Sequence, residues 1–292
     1  MLRVIYNPVA GPKIVSKIDR VRSLLGSRGT PFEIVETSGP GDAVLLAKVA
    51  AHEGAETVLA VGGDGTLNEV ANGLAGSRTR LAVIPHGTGN VFAREVGLPK
   101  TVEGCLELLE GGKTIEVPLA RADSRYFVLL ASAGFDAEVV EGMSSREKNV
   151  LGIGAYVLAG IRHLLRSQPV LWLEFPNRER LEAQAVILCR GKTYGGGVKM
   201  APDGNLEGNT LQVVALQKAG RWALLRFALD ALRGRHADSP SVLIREAQSV
   251  FVRSRIPSAA QVDGDYLGPL PVRFEMTDIR LRIVVPAEYS GG

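Results

Sequence analysis

What the chain lacks narrows the possibilities first. It has two cysteines in 292 residues, Cys105 and Cys189, each inside an apolar segment, which argues against a disulfide framework or a thiolate metal cluster and fits a reducing cytoplasm. It lacks a strong charge bias: a net +3 is far below the basic excess of a dedicated nucleic-acid binder, so nucleic acid is not an expected partner, whereas an anionic membrane surface suits the mild positive sign. Long apolar runs are missing too, since "VLGIGAYVLAGI" (Val150 to Ile161), the longest, falls well short of the roughly 20 residues a spanning helix needs. Any membrane contact is therefore expected to be peripheral. The start, "MLRVIYNP", reaches a turn too early to hold a signal-peptide apolar core.

What remains is a globular composition, 46% apolar and 22% charged, long enough for two domains. From Leu2 to Pro85, short Val/Ile/Leu runs ("LRVIY", "FEIVE", "TVLAV", "LAVIP") alternate with segments of helical period, the pattern of βαβ units on a parallel sheet. A three-layer α/β domain is expected. Past Pro118, "YFVLLASAGFDAEVV", "VLWLEF", "EAQAVILC", "TLQVVAL", "SVFVR", "AQVDGDY" and "LRIVVP" read as strands with few helices between them, a mostly antiparallel β domain. The expected domains are 1–117 and 118–292, leaving open a return of the last strand to the first domain. Helical inserts are expected around Gly154 to Ser167 and at "RWALLRFALDALRGR". In the latter Trp222, Leu225, Leu229 and Leu232 share one face and Arg226, Asp230 and Arg233 another, which favours a helix packed on the β domain over a membrane-facing one.

The most informative stretch is "AVGGDGTLNEVANGL", Ala60 to Leu74. A buried strand enters a glycine-rich turn expected to need unusual backbone angles, and Leu67, Val70, Ala71 and Leu74 mark the buried face of the next helix. Such an elbow offers unpaired N–H groups to an anion, and glycines let phosphate approach the backbone. Asp64 would repel bare phosphate, which points to a divalent cation or a substrate hydroxyl beside it. Standard phosphate loops fail: for both "GKT" tripeptides the first glycine of a Walker loop falls on Glu107 or Val186, and "GPGDAV", "GTGNVF" and "GIGAYV" lack the third glycine of the dinucleotide fingerprint. The four histidines show no metal-ligand spacing, and Arg94 reads as a solvated helix charge.

With "YNPVAGPK", "ETSGPGDA", "IPHGTGNVFAREVGLP", "ASAGFDAEVV", "GGGVKMAPDGNLEGNTLQVVAL" and "VDGDYLG" in order along most of the chain, the sequence resembles the diacylglycerol kinase catalytic domain family, in its bacterial soluble branch. The resemblance implies a nucleotide-binding α/β domain, a β-sandwich domain, an active site in the cleft between them, and transfer of the ATP γ-phosphoryl group to a lipid hydroxyl. It implies an ATP site of Asn7, Pro8, Val9, Ala10 and Gly11, of Thr37, of Gly62, Gly63, Asp64, Gly65, Thr66, Leu67 and Asn68, and of Thr88. It also implies a magnesium site at the Asp203 side chain and the main-chain carbonyls of Met200 and Asn205. Finally it implies a base at Asp265, where the family usually carries glutamate, so the carboxylate is one methylene shorter; in sphingosine-kinase relatives the position of Asp64 has been given that role instead. The competing expectations are an NAD kinase-like enzyme, which shares "GGDGT", and a non-catalytic lipid or nucleotide sensor. The identity of the lipid is not legible, and a homodimer stays open.

Overall fold

The computed structural model describes residues 1–11, 13–141, 169–217 and 220–291. The insert expected at Gly154 to Ser167 and the apolar stretch from Val150 lie outside them. Two compact units emerge, one of residues 1–119 and 278–291, the other of residues 120–277.

In the first unit, β1 (Leu2–Tyr6), β2 (Phe32–Glu36), β3 (Thr57–Gly62) and β4 (Arg80–Pro85) form a parallel sheet in the order β2-β1-β3-β4. Between them run α1 (Ile14–Ser27), α2 (Asp42–His52) and α3 (Asp64–Leu74), followed by α4 (Val91–Glu95) and α5 (Val102–Gly111). Successive strand side chains alternate faces. Leu2, Val4, Leu59, Val61, Ala82 and Ile84 meet Ile14, Ile18, Val21 and Leu25 of α1 and Val102, Cys105 and Leu106 of α5. The alternate residues Ile5, Val58, Ala60, Leu81 and Val83 are buried too, on the side of α2 and α3. These two helices touch so closely that a Cβ on Gly73 would lie 2.5 Å from the Val44 carbonyl oxygen. The face expected of α3 is the one found, with Leu67, Val70, Ala71 and Leu74 all buried.

The second unit is a sandwich of antiparallel sheets. One contains β8 (Leu171–Glu174), β9 (Arg180–Ala183) and β15 (Ser249–Ser254), which pairs with the opening half of β18 (Val272–Val285). The other runs β14 (Val242–Ala247), β13 (Leu211–Leu216), β10 (Ala185–Cys189), β7 (Leu130–Gly134), β16 (Ala259–Val262), β17 (Asp265–Pro269). Inward residues of both, among them Leu173, Val252 and Phe274 from the first and Ala133, Leu188, Val213 and Val262 from the second, make one core. Hairpins β5 (Lys113–Ala122) with β6 (Arg125–Phe127) and β11 (Thr193–Tyr194) with β12 (Val198–Lys199) complete the strands. The closing half of β18 belongs to the first unit, where Arg282 and Ile283 pair parallel to Arg80 and Leu81 of β4.

Two sequence expectations need correction here. "YFVLLASAGFDAEVV" is not strand throughout, because Gly134 at φ +82° ends β7 and Phe135–Glu141 forms α6. A Cβ at Gly134 would lie 2.6 Å from the Gln184 carbonyl oxygen, so the turn there is open to glycine alone. The helix α7 (Arg221–Leu232) does pack on the β domain, but through Leu224, Phe227 and Ala231, while the stripe of Trp222, Leu225, Leu229 and Leu232 faces solvent. Leucines stand on both faces of this helix, so periodicity alone marks two apolar stripes and cannot choose between them.

Candidate functional site

The register of the parallel sheet sets Tyr6 beside Glu36 and Val61, and Gly62 beside Pro85. The segments that follow these strands therefore leave from one end of the sheet, the carboxyl end where open α/β sheets bind ligands. They are Asn7–Gly11, Thr37, the elbow Gly62–Thr66 and the loop His86–Asn90, so the residues nominated for ATP in the first unit are brought together.

Each segment is built differently. In the first turn the Asn7 side chain accepts the Val9 N–H at 3.0 Å and its carbonyl accepts the Ala10 N–H at 3.1 Å, leaving Val9 74% exposed, and Gly11 lies at φ +133°. Thr37 is buried and donates its N–H to the Tyr6 carbonyl at 2.9 Å. Lys17 of α1 reaches the Pro85 carbonyl at 2.9 Å, and burial lowers its pKa.

The elbow departs from expectation in an instructive way. None of Gly62, Gly63 and Gly65 has a positive φ; what Gly62 in the elbow and Gly87 in the facing loop supply is space. A Cβ at Gly62 would lie 2.5 Å from Thr66 Oγ1, and one at Gly87 would lie 2.9 Å from the Gly63 Cα, so elbow and "GTGN" loop pass each other at backbone distance. The His86 N–H bonds the Gly62 carbonyl at 2.7 Å and fixes that approach. The cap residue of α3 is Gly63, which has no side chain to satisfy the helix's first N–H groups. An uncapped helix N-terminus beside two glycine-lined turns is an anion-binding geometry.

Asp64, the first residue of α3, directs its carboxylate to another helix: it accepts the N–H of Val91 at 3.1 Å and of Phe92 at 3.3 Å, at the start of α4. Burial raises its pKa, and these backbone hydrogen bonds pull against that rise. The Leu67 and Asn68 side chains are buried at 4% and 0% exposure, so α3 offers a ligand its first-turn backbone rather than these side chains. Thr88 is exposed on its loop.

In the second unit the "VDGDY" hairpin separates its two carboxylates. Asp263, at φ +46°, accepts the N–H groups of Val128, Leu129 and Leu130 at 2.8, 3.0 and 2.9 Å and is thereby committed to structure. Asp265 opens β17, is part-exposed, and pairs with Arg125 at 2.8 Å. Between them, the Gly264 N–H bonds Gln261 Oε1 at 2.8 Å. Gln261, buried, donates in turn to Ser132 Oγ at 2.8 Å and Asp136 Oδ2 at 3.1 Å, and Asp136 also accepts the hydroxyls of Ser132 and Tyr194. None of these supporting residues was identified from sequence. Their partners come from four separate elements, and only "ASAGFDAEVV" hinted at them.

The loop nominated for magnesium holds itself by internal bonds. The Met200 carbonyl accepts the buried His236 Nε2–H at 2.8 Å, and the Asn205 carbonyl accepts the Gly208 N–H at 3.1 Å. Fully buried Arg190 donates to the carbonyls of Leu206, Gly208 and Thr210. Asp203 is exposed, and no group of three or more acidic, histidine or cysteine side chains converges among the described residues. Each carbonyl keeps a second lone pair, so two carbonyl oxygens and a carboxylate remain a donor set of the hard-oxygen kind.

Comparison with known proteins bears on both units. The profile described as "Diacylglycerol kinase catalytic domain" matches residues 1–122, and that of the "YegS C-terminal NAD kinase beta sandwich-like domain" matches 130–285. A Staphylococcus haemolyticus (strain JCSC1435) protein named diacylglycerol kinase is 31% identical over 292 residues, 98% of this chain and 88% of the relative. Its namesake in Staphylococcus aureus (strain Newman) is 31% identical over 290 residues, 97% of this chain and 92% of the relative. A solved Bacillus anthracis str. Sterne structure superposes with TM-score 0.83 at 24% identity, covering 99% of this chain and 96% of that one. Another from that organism, named a diacylglycerol kinase, gives TM-score 0.76 at 20% identity, with 99% of this chain and 98% of that one covered. At these identities the structures establish the fold.

Proposed function

Because the chain belongs to the diacylglycerol kinase family, whose activity is phosphoryl transfer to a hydroxyl, we propose that it moves the γ-phosphoryl group of ATP to a lipid alcohol, diacylglycerol or a close analogue, at a membrane surface. The observation that carries the ATP half is the elbow: an α3 N-terminus without a side-chain cap, beside turns that glycine keeps open to the backbone. In this reading Asn7–Gly11, Thr37, Gly62–Thr66 and Thr88 line the nucleotide. Leu67 and Asn68 anchor α3 in the core and so hold its first turn in place.

The acceptor hydroxyl needs a proton acceptor, since an alcohol is a weak nucleophile at neutral pH. Asp265 is the proposed base. Its ion pair with Arg125 uses one oxygen, and an ionised carboxylate accepts about four hydrogen bonds, so acceptor sites remain for a hydroxyl. Asp263 is excluded from that role by its three backbone partners. Asp64 positions the "GTGN" loop through α4 and is proposed to touch Mg·ATP with the lone pairs the amides leave. Magnesium accompanying ATP would neutralise charge on the transferred group. A second ion would be held at Met200 O, Asp203 and Asn205 O.

The name of the second-unit profile keeps the NAD kinase alternative in view, since the sandwich fold is shared. The catalytic-domain profile over residues 1–122 and the names of the 31%-identical relatives weigh toward a lipid acceptor. The test is transfer of labelled γ-phosphate to a panel of diacylglycerol, monoacylglycerol, a sphingoid base, phosphatidylglycerol, polyprenol and NAD. Label on a lipid with none on NAD supports the reading, and label on NAD alone replaces it. Nucleotide and lipid binding without any labelled product would make the protein a sensor.

A further inference from the structure

The outward face of α7 is an anomaly for a helix in water. Leu224, Phe227 and Ala231 anchor it to the sandwich, which would suffice to hold a surface helix in place. Yet Trp222 is 77% exposed, Leu232 71%, Leu229 41% and Leu225 38%, all on the opposite side. Among the described residues the other large exposed apolar side chains stand singly, as Val9, Val170 and Ile256 do, apart from the pair Leu45 and Val49 one turn apart on α2, so no other described helix carries a stripe of four. Isolated exposed apolar residues are ordinary; four in a stripe of one twelve-residue helix mark an interaction face.

Charge selects the occupant. Arg226 and Arg233 project on the same outward side beside Trp222, and Arg235 follows at the helix end. No ion pair engages Arg233 or Arg235 among the described residues, and Arg226 is only loosely paired with Asp230, at 3.4 Å. From Lys218 to Arg235 the sequence sets Lys218 and four arginines against Asp230 alone. A second copy of this chain would bring like arginine rims together in a two-fold contact, which repels. A layer of phosphate headgroups over acyl chains complements both the arginines and the leucines. Tryptophan, with an apolar ring and one N–H donor, is the residue most at home at that boundary. The helix is about 18 Å long, too short to span, and would lie in the plane of the interface.

We infer that α7 docks the protein on membranes containing anionic phospholipid, Trp222, Leu225, Leu229 and Leu232 entering the acyl boundary while Arg226, Arg233 and Arg235 meet the phosphates. This rests on the lipid-kinase reading for its purpose only, and the test needs no turnover. Purified protein is sedimented with phosphatidylcholine vesicles with and without phosphatidylglycerol, in the absence of nucleotide and diacylglycerol. Wild type is expected to pellet with the anionic vesicles and to be released by salt. Trp222→Glu/Leu229→Glu should lower partitioning by about tenfold or more, and Arg226→Gln/Arg233→Gln by about fivefold per charge on anionic vesicles only. Leu45→Glu, at a leucine of α2 that is more exposed than Leu229, should change nothing. In a Trp172→Phe background Trp222 emission should move to the blue only when vesicles are added. Equal pelleting of the Trp222→Glu/Leu229→Glu variant overturns the inference. So does blue emission before vesicles are added, which would mean that the face is covered by the chain itself or, if sedimentation velocity shows association lost in that variant, by a second copy. A kinase that phosphorylates detergent-dispersed diacylglycerol at the wild-type rate in these variants separates failed docking from a failed catalytic reading.

Discussion

The Asp64 carboxylate holds the main-chain N–H groups of Val91 and Phe92, so the first residue of one helix caps the start of another. Burial raises the Asp64 pKa above its ordinary value near 3.8. Between that value and the raised one, the folded protein keeps a proton that the unfolded chain has released. The contribution of Asp64 to stability is therefore full below the ordinary value and is lost as pH rises through the folded one. Asp64→Asn keeps an acceptor oxygen and removes this titration. Thermal melts across the acid range should show wild type losing stability relative to Asp64→Asn as pH rises through that window, and a constant gap would count against the burial effect. At neutral pH the variant should use Mg·ATP poorly, with unchanged kcat and KM removing Asp64 from the site.

Gly62→Ala places a methyl on Thr66, with 2.5 Å where van der Waals contact needs more than 3.4 Å. The expected cost is about 1–3 kcal/mol of stability, together with a raised KM for ATP, because the α3 N-terminus must shift. Gly39→Ala, where a Cβ meets nothing within 4 Å, is the control and should leave both unchanged. Denaturant melts and steady-state kinetics read the two effects separately.

The neighbouring aspartates of "VDGDY" should part company. Asp263→Ala strips an acceptor from three amides and should cost about 2–4 kcal/mol. Asp265→Ala should leave the melting temperature nearly intact and lower kcat by about a hundredfold or more, with little change in the KM for ATP. Retained turnover in Asp265→Ala would transfer the role of base to Asp64.

Arg190 ties down the loop 206–210 through the main-chain carbonyls of Leu206, Gly208 and Thr210. Arg190→Met should cost about 3–5 kcal/mol, since it leaves three carbonyls without their donor. Chelation of magnesium from the wild type should shift the melting temperature far less. Magnesium binding to this loop, followed by calorimetry with no nucleotide present, should disappear in Asp203→Asn. Heat that persists in that variant would place the ion elsewhere.

The α3 face was readable because only one of its sides is apolar, and the parallel sheet because its strands are continuous Val/Ile/Leu runs. The α7 face was not, because Leu224, Phe227 and Ala231 and the outward leucines are equally apolar and only packing decides between them. Gly62 announced itself, but for the wrong reason: turn chemistry reports φ, whereas the constraint at Gly62 is the Thr66 side chain, and the one at Gly87, a second backbone arriving from Gly63, has no signature in the sequence. His236 and Arg190 were invisible because they bind main-chain carbonyls, which carry no residue identity. Asp265 could be singled out by resemblance, but its partner Arg125, 140 residues earlier, could not.

The strand Val272–Val285 begins in one unit and ends in the other, and its final residues flank β4. During synthesis the first unit must therefore wait with an open sheet edge until everything in the sandwich has been made. A nascent chain halted before Asp278 would expose the β4 edge to whatever strand came by. Chaperone dependence and the aggregation of C-terminally shortened forms are the phenotypes such a split layout brings with it.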